Sequence, residues 1–221
     1  MLYFREGKKV NKSYSTGAEK TTGLILGSLS LALTGSIVFW YLGNPTQFIV
    51  ERLGINSEAF NSAFVWLLAF IIAVGYIMYT VKVIPFVREH LFTFSWLKVI
   101  GIWAAFVSST VEEILFRQVL MDWLMNLNYG IVIQILASAI IFGLAHGAWV
   151  LLRGDLKIAL PVILSTTILG GLLAILYIVA DRNLLAPIVA HIIINLFIEP
   201  WLILSAVTGS WDNEEENKSN K

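Results

Sequence analysis

Three short stretches of this chain carry side chains able to do acid–base chemistry in places where such side chains are costly. Glu112-Glu113-Ile114-Leu115-Phe116-Arg117 sets two carboxylates and a guanidinium close together. Phe142-Gly143-Leu144-Ala145-His146 ends on an imidazole, with Phe142 one helical turn before it. His191-Ile192-Ile193-Ile194-Asn195 puts an imidazole and an amide at i, i+4, on one helix face. All three lie in apolar runs. An ionisable group at the centre of a membrane span costs about 2.5–3.5 kcal/mol on insertion scales, so these must face a bundle interior or a water-filled cavity.

The spacing sorts their roles. Glu113 and Arg117 stand at i, i+4 and can pair as a structural ion pair. Glu112 is turned about 100° from Glu113 and has no local cation. A carboxylate so placed is a candidate general base. A single membrane histidine is most simply a helix-to-helix hydrogen bond, worth about 0.6–2 kcal/mol. Two histidines, an asparagine and the Glu-Glu-Arg set together point instead to a functional cluster. The third histidine, His90, follows Arg88 and Glu89 in a cytoplasmic loop and reads as ordinary surface. Asp122 and Glu199 are read either as helix-end residues or as cavity lining.

The elements that must position these groups are membrane helices. The chain has 221 residues, 57% hydrophobic and 14% charged, with a mean hydropathy of +0.78. A soluble domain carries about 25% charged residues. There are no cysteines, which excludes disulfides, a thiol nucleophile and a cysteine-ligated zinc. About 20 apolar residues at ~1.5 Å each cross a ~30 Å hydrocarbon core. By that measure there are six spans, near 23–42, 62–81, 97–126, 130–152, 158–180 and 184–206. The first is longer than a signal-peptide core and reads as a retained span. The third is too long for one straight crossing and must tilt, break or begin at the interface.

The expected architecture is an all-α, polytopic membrane helix bundle. A basic segment (1–22) precedes a single transmembrane domain (23–206), and an acidic polar tail (207–221) follows. The turns are Asn126-Leu127-Asn128-Tyr129, Arg153-Gly154-Asp155-Leu156-Lys157 and Asp181-Arg182-Asn183. Twelve Lys and Arg fall on one side of the six-span arrangement and two, Arg52 and Arg182, on the other. The positive-inside rule then puts both termini in the cytoplasm. Gly170-Gly171 with Ser165, Thr166 and Thr167 suits close helix packing. Pro161, Pro187 and Pro200 start or kink helices. Trp40, Trp96 and Trp211 suit interface anchors.

In order and inside spans, Glu112-Glu113 with Arg117, Phe142 with His146, and His191 with Asn195 resemble the three motifs of the CAAX-protease and bacteriocin-processing (CPBP, or Abi) family of membrane proteases. That family includes the type II CAAX prenyl proteases. The resemblance covers about residues 97–200. It implies that Glu112 and His146 activate a water, that His191 and Asn195 hold the oxyanion, and that Glu113 and Arg117 support the site. It also implies a divalent metal, zinc above all, on Glu112, His146 and His191, although the same residues serve a metal-free mechanism and HExxH is absent. The expected reaction is cleavage of a membrane-associated peptide: a bacteriocin or pheromone precursor, or a membrane-anchor segment. CAAX processing itself is the less favoured substrate class, since it needs a prenylated substrate and no lipid pocket is legible. The other readings are a bacteriocin self-immunity protein that sequesters a peptide, and an ion-coupled carrier. The expected partners are the substrate and the lipid bilayer of the cell membrane, with no nucleic acid, and the oligomeric state is open.

One expectation works against convergence. His146 comes late in one outside-to-inside span and His191 early in another, a depth mismatch of order 10 Å. The expected site cavity lies between the third, fourth and sixth spans.

Reporter fusions test the topology. Fusions at both termini should read cytoplasmic, and one inserted at Asn128 should not. Termini on opposite sides would end the six-span arrangement.

Overall fold

The structure is a computed structural model that describes residues 15–56, 60–148 and 156–210. Most of the basic N-terminal segment, the Arg153-Gly154-Asp155 turn and the acidic tail from Trp211 onward lie outside the described residues. Within them the chain is helical, with no strand. The helices are α1 (Thr16–Gly43), α2 (Pro45–Gln47), α3 (Ala63–Val83), α4 (Pro85–His90), α5 (Trp96–Glu113), α6 (Leu120–Asn126), α7 (Ile131–Gly147), α8 (Leu156–Val179) and α9 (Leu185–Thr208). Two π-helical turns, Phe48–Arg52 and Ile114–Val119, complete the order.

Local chemistry sets several boundaries. The hydroxyls of Ser15, Ser62 and Ser95 accept from the backbone N–H of Ala18, Val65 and Lys98, at 3.2, 3.3 and 3.3 Å. Each caps a helix N-terminus. Ser15 is why α1 begins seven residues before the apolar run does. Asn44 and Ile84 each precede a proline and take extended backbone, with φ −158° and −118°. The proline ring disfavours helical geometry in the preceding residue, so α1 and α3 stop there.

Among the described residues five helices are long and apolar enough to cross a membrane: Thr16–Gly43, Ala63–Val83, Trp96–Asn126, Ala159–Val179 and Leu185–Thr208. α7 is apolar but shorter, at 17 residues. The fourth expected span, 130–152, is thus represented by a helix of about 25 Å. Large apolar side chains face outward along these helices, among them Phe39, Phe70 and Val132 at 76, 62 and 69% exposure. Such faces are stable against lipid tails. The chain is a multi-pass membrane protein.

α9 is the central helix. Ala186, Ala190, Ile194, Ile198, Trp201 and Leu204 are buried in the main apolar cluster, with residues from α1, α3, α4, α5 and α8. α7 and α8 lie closest together. A Cβ on Gly143 would stand 1.9 Å from Thr167 Oγ1 and 2.8 Å from the Ile163 carbonyl. One on Gly170 would stand 3.0 Å from Phe142. Small residues let membrane helices pack backbone to backbone. Of the three hydroxyls expected in that contact, Thr167 meets the glycine, whereas Ser165 and Thr166 line a cavity.

His90 is not surface. It is 2% exposed, its Nδ1 lies 2.8 Å from the Phe86 carbonyl, and its ring stacks on Phe86 and tilts against Trp201. Its charged neighbours Arg88 and Glu89 are exposed. The short helix α4 turns His90 to the opposite face, onto α9, which the flanking charges conceal in a linear reading.

Gly143→Ala should destabilise the protein by about 1–3 kcal/mol, because the Ile163 backbone cannot yield to the added methyl. Gly35→Ala, with nothing within 4 Å, should be neutral or slightly stabilising, by at most ~1 kcal/mol. Thermal unfolding in detergent checks both, and equal midpoints would contradict the packing.

Candidate functional site

Glu112 and Glu113 occupy the last turn of α5, immediately before the π turn Ile114–Val119. The long third span, which had to tilt, break or begin at the interface, is a continuous helix with a change of winding at this π turn. π turns often mark functional positions. The two glutamates diverge as their 100° separation requires. Glu113 is fully buried, with Oε2 at 2.9 Å from Nε of the fully buried Arg117. Arg117 also donates to the Gly170 carbonyl at 3.3 Å and lies over the Phe142 ring, 4.6 Å from its centroid.

The other oxygen of Glu113 receives the Nδ1–H of His191 at 2.8 Å. A carboxylate acceptor fixes the proton on Nδ1, which leaves Nε2 of a neutral His191 as a free acceptor. His146 is fixed in the same sense. Its Nδ1 lies 2.9 Å from the Phe142 carbonyl, which can only accept. Both histidines therefore turn Nε2 toward Glu112, whose Oε2 stands 3.7 Å from His146 and 3.8 Å from His191. These separations exceed a hydrogen bond. Glu112 Oε2 is buried and has no hydrogen-bond partner. Asn195 donates to Ser109 Oγ at 3.2 Å. An amide nitrogen has two N–H groups, so one is held by Ser109 and one remains.

The structure thus brings together Glu112, His146, His191 and Asn195 around one space, with Glu113, Arg117 and Phe142 directly behind it. Phe142 touches three of them. Its ring centroid is 4.3 Å from that of His146 and 5.7 Å from that of His191, and it lies under Arg117.

The expected depth mismatch is taken up at the far end of the bundle. Asp181 and Arg182 take left-handed backbone, φ 52° and 60°, and Arg182 bonds Asp122 and Gln134. Asp122 also accepts from Tyr177. The start of α9 is thereby tied beside Gln134, inside α7, rather than level with the start of α7. Counted from that tie, His191 comes nine residues along and His146 twelve. The offset shrinks to about three residues, roughly 5 Å, within reach of tilt and side-chain length. Asp122 is a helix-end tether and not part of the site.

A cavity of about 150 Å³ opens on the cluster. Glu112, His146, His191 and Asn195 line it, and so does Glu199. Its walls correct the expected placement. They come not only from the third, fourth and sixth spans but also from α3 (Tyr76, Tyr79) and α8 (Pro161, Val162, Ser165). The Ser165 and Thr166 hydroxyls bond the Val162 carbonyl within their own helix, Ser165 also meets the Tyr76 hydroxyl, and side chains such as Val83, Val162 and Leu169 make this wall largely apolar. Sequence reasoning also missed Ser109, a buried residue one turn from Glu113 whose only signal was its place in the Ser-Ser-Thr run before the glutamates.

Among the described residues no group of three or more His, Asp or Glu side chains is placed to hold a metal ion. The donor chemistry of Glu112, His146 and His191 suits zinc, since each imidazole is anchored through Nδ1 and presents Nε2. Their arrangement as it stands does not close around an ion.

Residues 94–197 match the family model described as type II CAAX prenyl endopeptidase Rce1-like. No curated protein and no solved structure matches the chain.

Arg117→Ala should cost about 3–5 kcal/mol, because it leaves Glu113 buried without its cation. Glu112→Ala should cost far less. Unfolding midpoints in detergent distinguish them, and equal losses would contradict the division of roles between the glutamates.

Proposed function

Starting from a segment, 94–197, that belongs to the Rce1-like family of type II CAAX prenyl endopeptidases, we propose that this chain is an intramembrane endopeptidase whose water is activated by Glu112. The observation that carries the reading is the gap at Glu112. A buried carboxylate oxygen without a partner faces two imidazole nitrogens across 3.7 and 3.8 Å. A water there donates one hydrogen to Glu112 and the other to His146 Nε2. Both groups are acceptors in the tautomer that Phe142 imposes.

The reaction runs as follows. A peptide segment enters the cavity with its scissile carbonyl toward α9. Glu112 takes a proton from the water as the oxygen attacks the carbonyl carbon. The negative charge passes to the carbonyl oxygen. Asn195 meets it with its remaining N–H. His191, whose Nδ1 is held on the Glu113 carboxylate, adds an Nε2–H donor only when its ring carries a second proton. Glu112 then delivers its proton to the departing amine, and the C–N bond breaks. Arg117 stays paired with Glu113 through this cycle and touches no reacting atom.

The substrate in this reading is a membrane-associated peptide, such as a bacteriocin or pheromone precursor or a membrane-anchor segment, cut near the cytoplasmic face. The apolar wall from α3 and α8 accepts an apolar side chain or lipid group beside the scissile bond. A zinc on Glu112, His146 and His191 would act as a Lewis acid toward the water. No step above requires it, and metal analysis of the purified protein decides whether it is added.

The test is cleavage of a co-expressed library of small peptide precursors. Glu112→Ala and His146→Ala should each lose at least ~100-fold in rate, and Asn195→Ala about 10²–10³-fold, with membrane insertion unchanged. Undiminished cleavage by Glu112→Ala would remove the base from the mechanism. Absence of cleavage, with native and variant chains protecting cells equally from a bacteriocin, would favour sequestration of a peptide.

A further inference from the structure

Among the described residues lining the cavity, Glu199 is the one carboxylate to which the proposed reaction gives no task. It lies on α9 one turn beyond Asn195 and two turns beyond His191, on the same helix face, and lines the same space as Glu112. It also lies two residues beyond the segment that matches the family. Its Oε2 is buried without a hydrogen-bond partner.

Three of the described cations are held elsewhere. Arg117 is held by Glu113. Arg182 is held by Asp122 at the far end of the bundle. Lys98, across α9, donates to the Leu196 carbonyl and lies over Phe197 and Trp201. Among the described residues no salt bridge reaches Glu199. A buried carboxylate lacking both a counter-charge and donors is expensive. Its position in an open cavity means that a ligand can supply what the protein does not.

Resting on the protease reading above, we propose that Glu199 is a specificity-determining residue that selects substrates carrying a basic side chain, lysine or arginine, about two residues from the scissile bond. The register follows from helix geometry. Four residues of α9 advance about 6 Å from Asn195, where the oxyanion is held, to Glu199. An extended peptide covers that distance in about two residues, at ~3.3–3.6 Å each. The ammonium or guanidinium then meets Glu199 while its aliphatic stem lies along the apolar wall from α3 and α8. Glu112, nearer the reacting carbonyl, remains free to act as base.

The test reads binding without turnover. The Glu112→Gln chain, immobilised in detergent micelles, is offered pools of end-blocked hexapeptides with lysine, norleucine or glutamate fixed at one position. Norleucine matches the lysine stem without its charge. Lysine pools should be retained about tenfold more than norleucine pools, as expected for a charge-assisted contact. The ratio should fall to about one when Glu199→Gln is added, and Glu199→Lys should favour the glutamate pools. Matching thermal transitions establish that the variants fold. Equal retention of lysine and norleucine pools at any level, or a lysine preference that survives Glu199→Gln, overturns the proposal. Because nothing is cut in this assay, a lysine preference in a chain whose native form cleaves no peptide would sink the protease reading alone. Cleavage by the native chain with no lysine preference would sink only the role of Glu199.

Discussion

The buried ion pair between Glu113 and Arg117 is the interaction on which the rest of the structure depends. Neither side chain has any exposed surface. In a hydrocarbon environment a single one of them would be costly to hold, and together they become tolerable only when their remaining polar atoms find partners. Those partners fix the bundle. Arg117 reaches the Gly170 carbonyl on α8 and the Phe142 ring on α7. Glu113 reaches His191 on α9. One charge pair on the third span thus ties together the other helices that carry or support the site, and it also sets the tautomer of His191.

Consecutive glutamates come to opposite fates through 100° of helix rotation. Glu113 turns into the pair and is spent on structure and orientation. Glu112 turns toward a cavity and keeps a buried oxygen unpartnered. Chemistry requires such a separation. A carboxylate bound to an arginine is a poor base, and one left without a rigid surround is poorly aimed. The π turn that follows lets the helix continue to Arg117 and beyond without a break, so that support and base share one element.

Close packing in one place leaves room in another. α7 meets α8 through Gly143 and Gly170 at backbone distance, which brings Phe142 beneath Arg117 and places its carbonyl against His146. On the other side α3 and the Pro161 region of α8 line the cavity. The Thr166 hydroxyl bonds a carbonyl of its own helix and Ser165 meets Tyr76 across the gap, so little polar surface faces the cavity from this wall. A site able to take an apolar substrate segment is therefore joined directly to a polar, water-activating cluster.

Hydrophobic run length and the cost of buried charge were enough to read an all-helical membrane protein, a third span too long for one straight crossing, and Glu112, Glu113, Arg117, His146, His191 and Asn195 as a group, to which the family resemblance added Phe142. Both are local properties, since bilayer thickness and helix rise act on a stretch of chain by itself. The i, i+4 rule likewise assigned Arg117 to Glu113 before any fold was known. The contacts between helices were not legible. His90 looked exposed among charges and is buried on α9. Straight, level helices left His146 and His191 at different depths, and the tie from Arg182 to Asp122 and Gln134 removes most of that offset. The contributions of α3 and α8 to the cavity, the support of Ser109 and the orphaned carboxylate of Glu199 follow from how helices remote in sequence are set against one another. Only tertiary packing decides that, because the same apolar face can bury itself against several neighbours at similar cost.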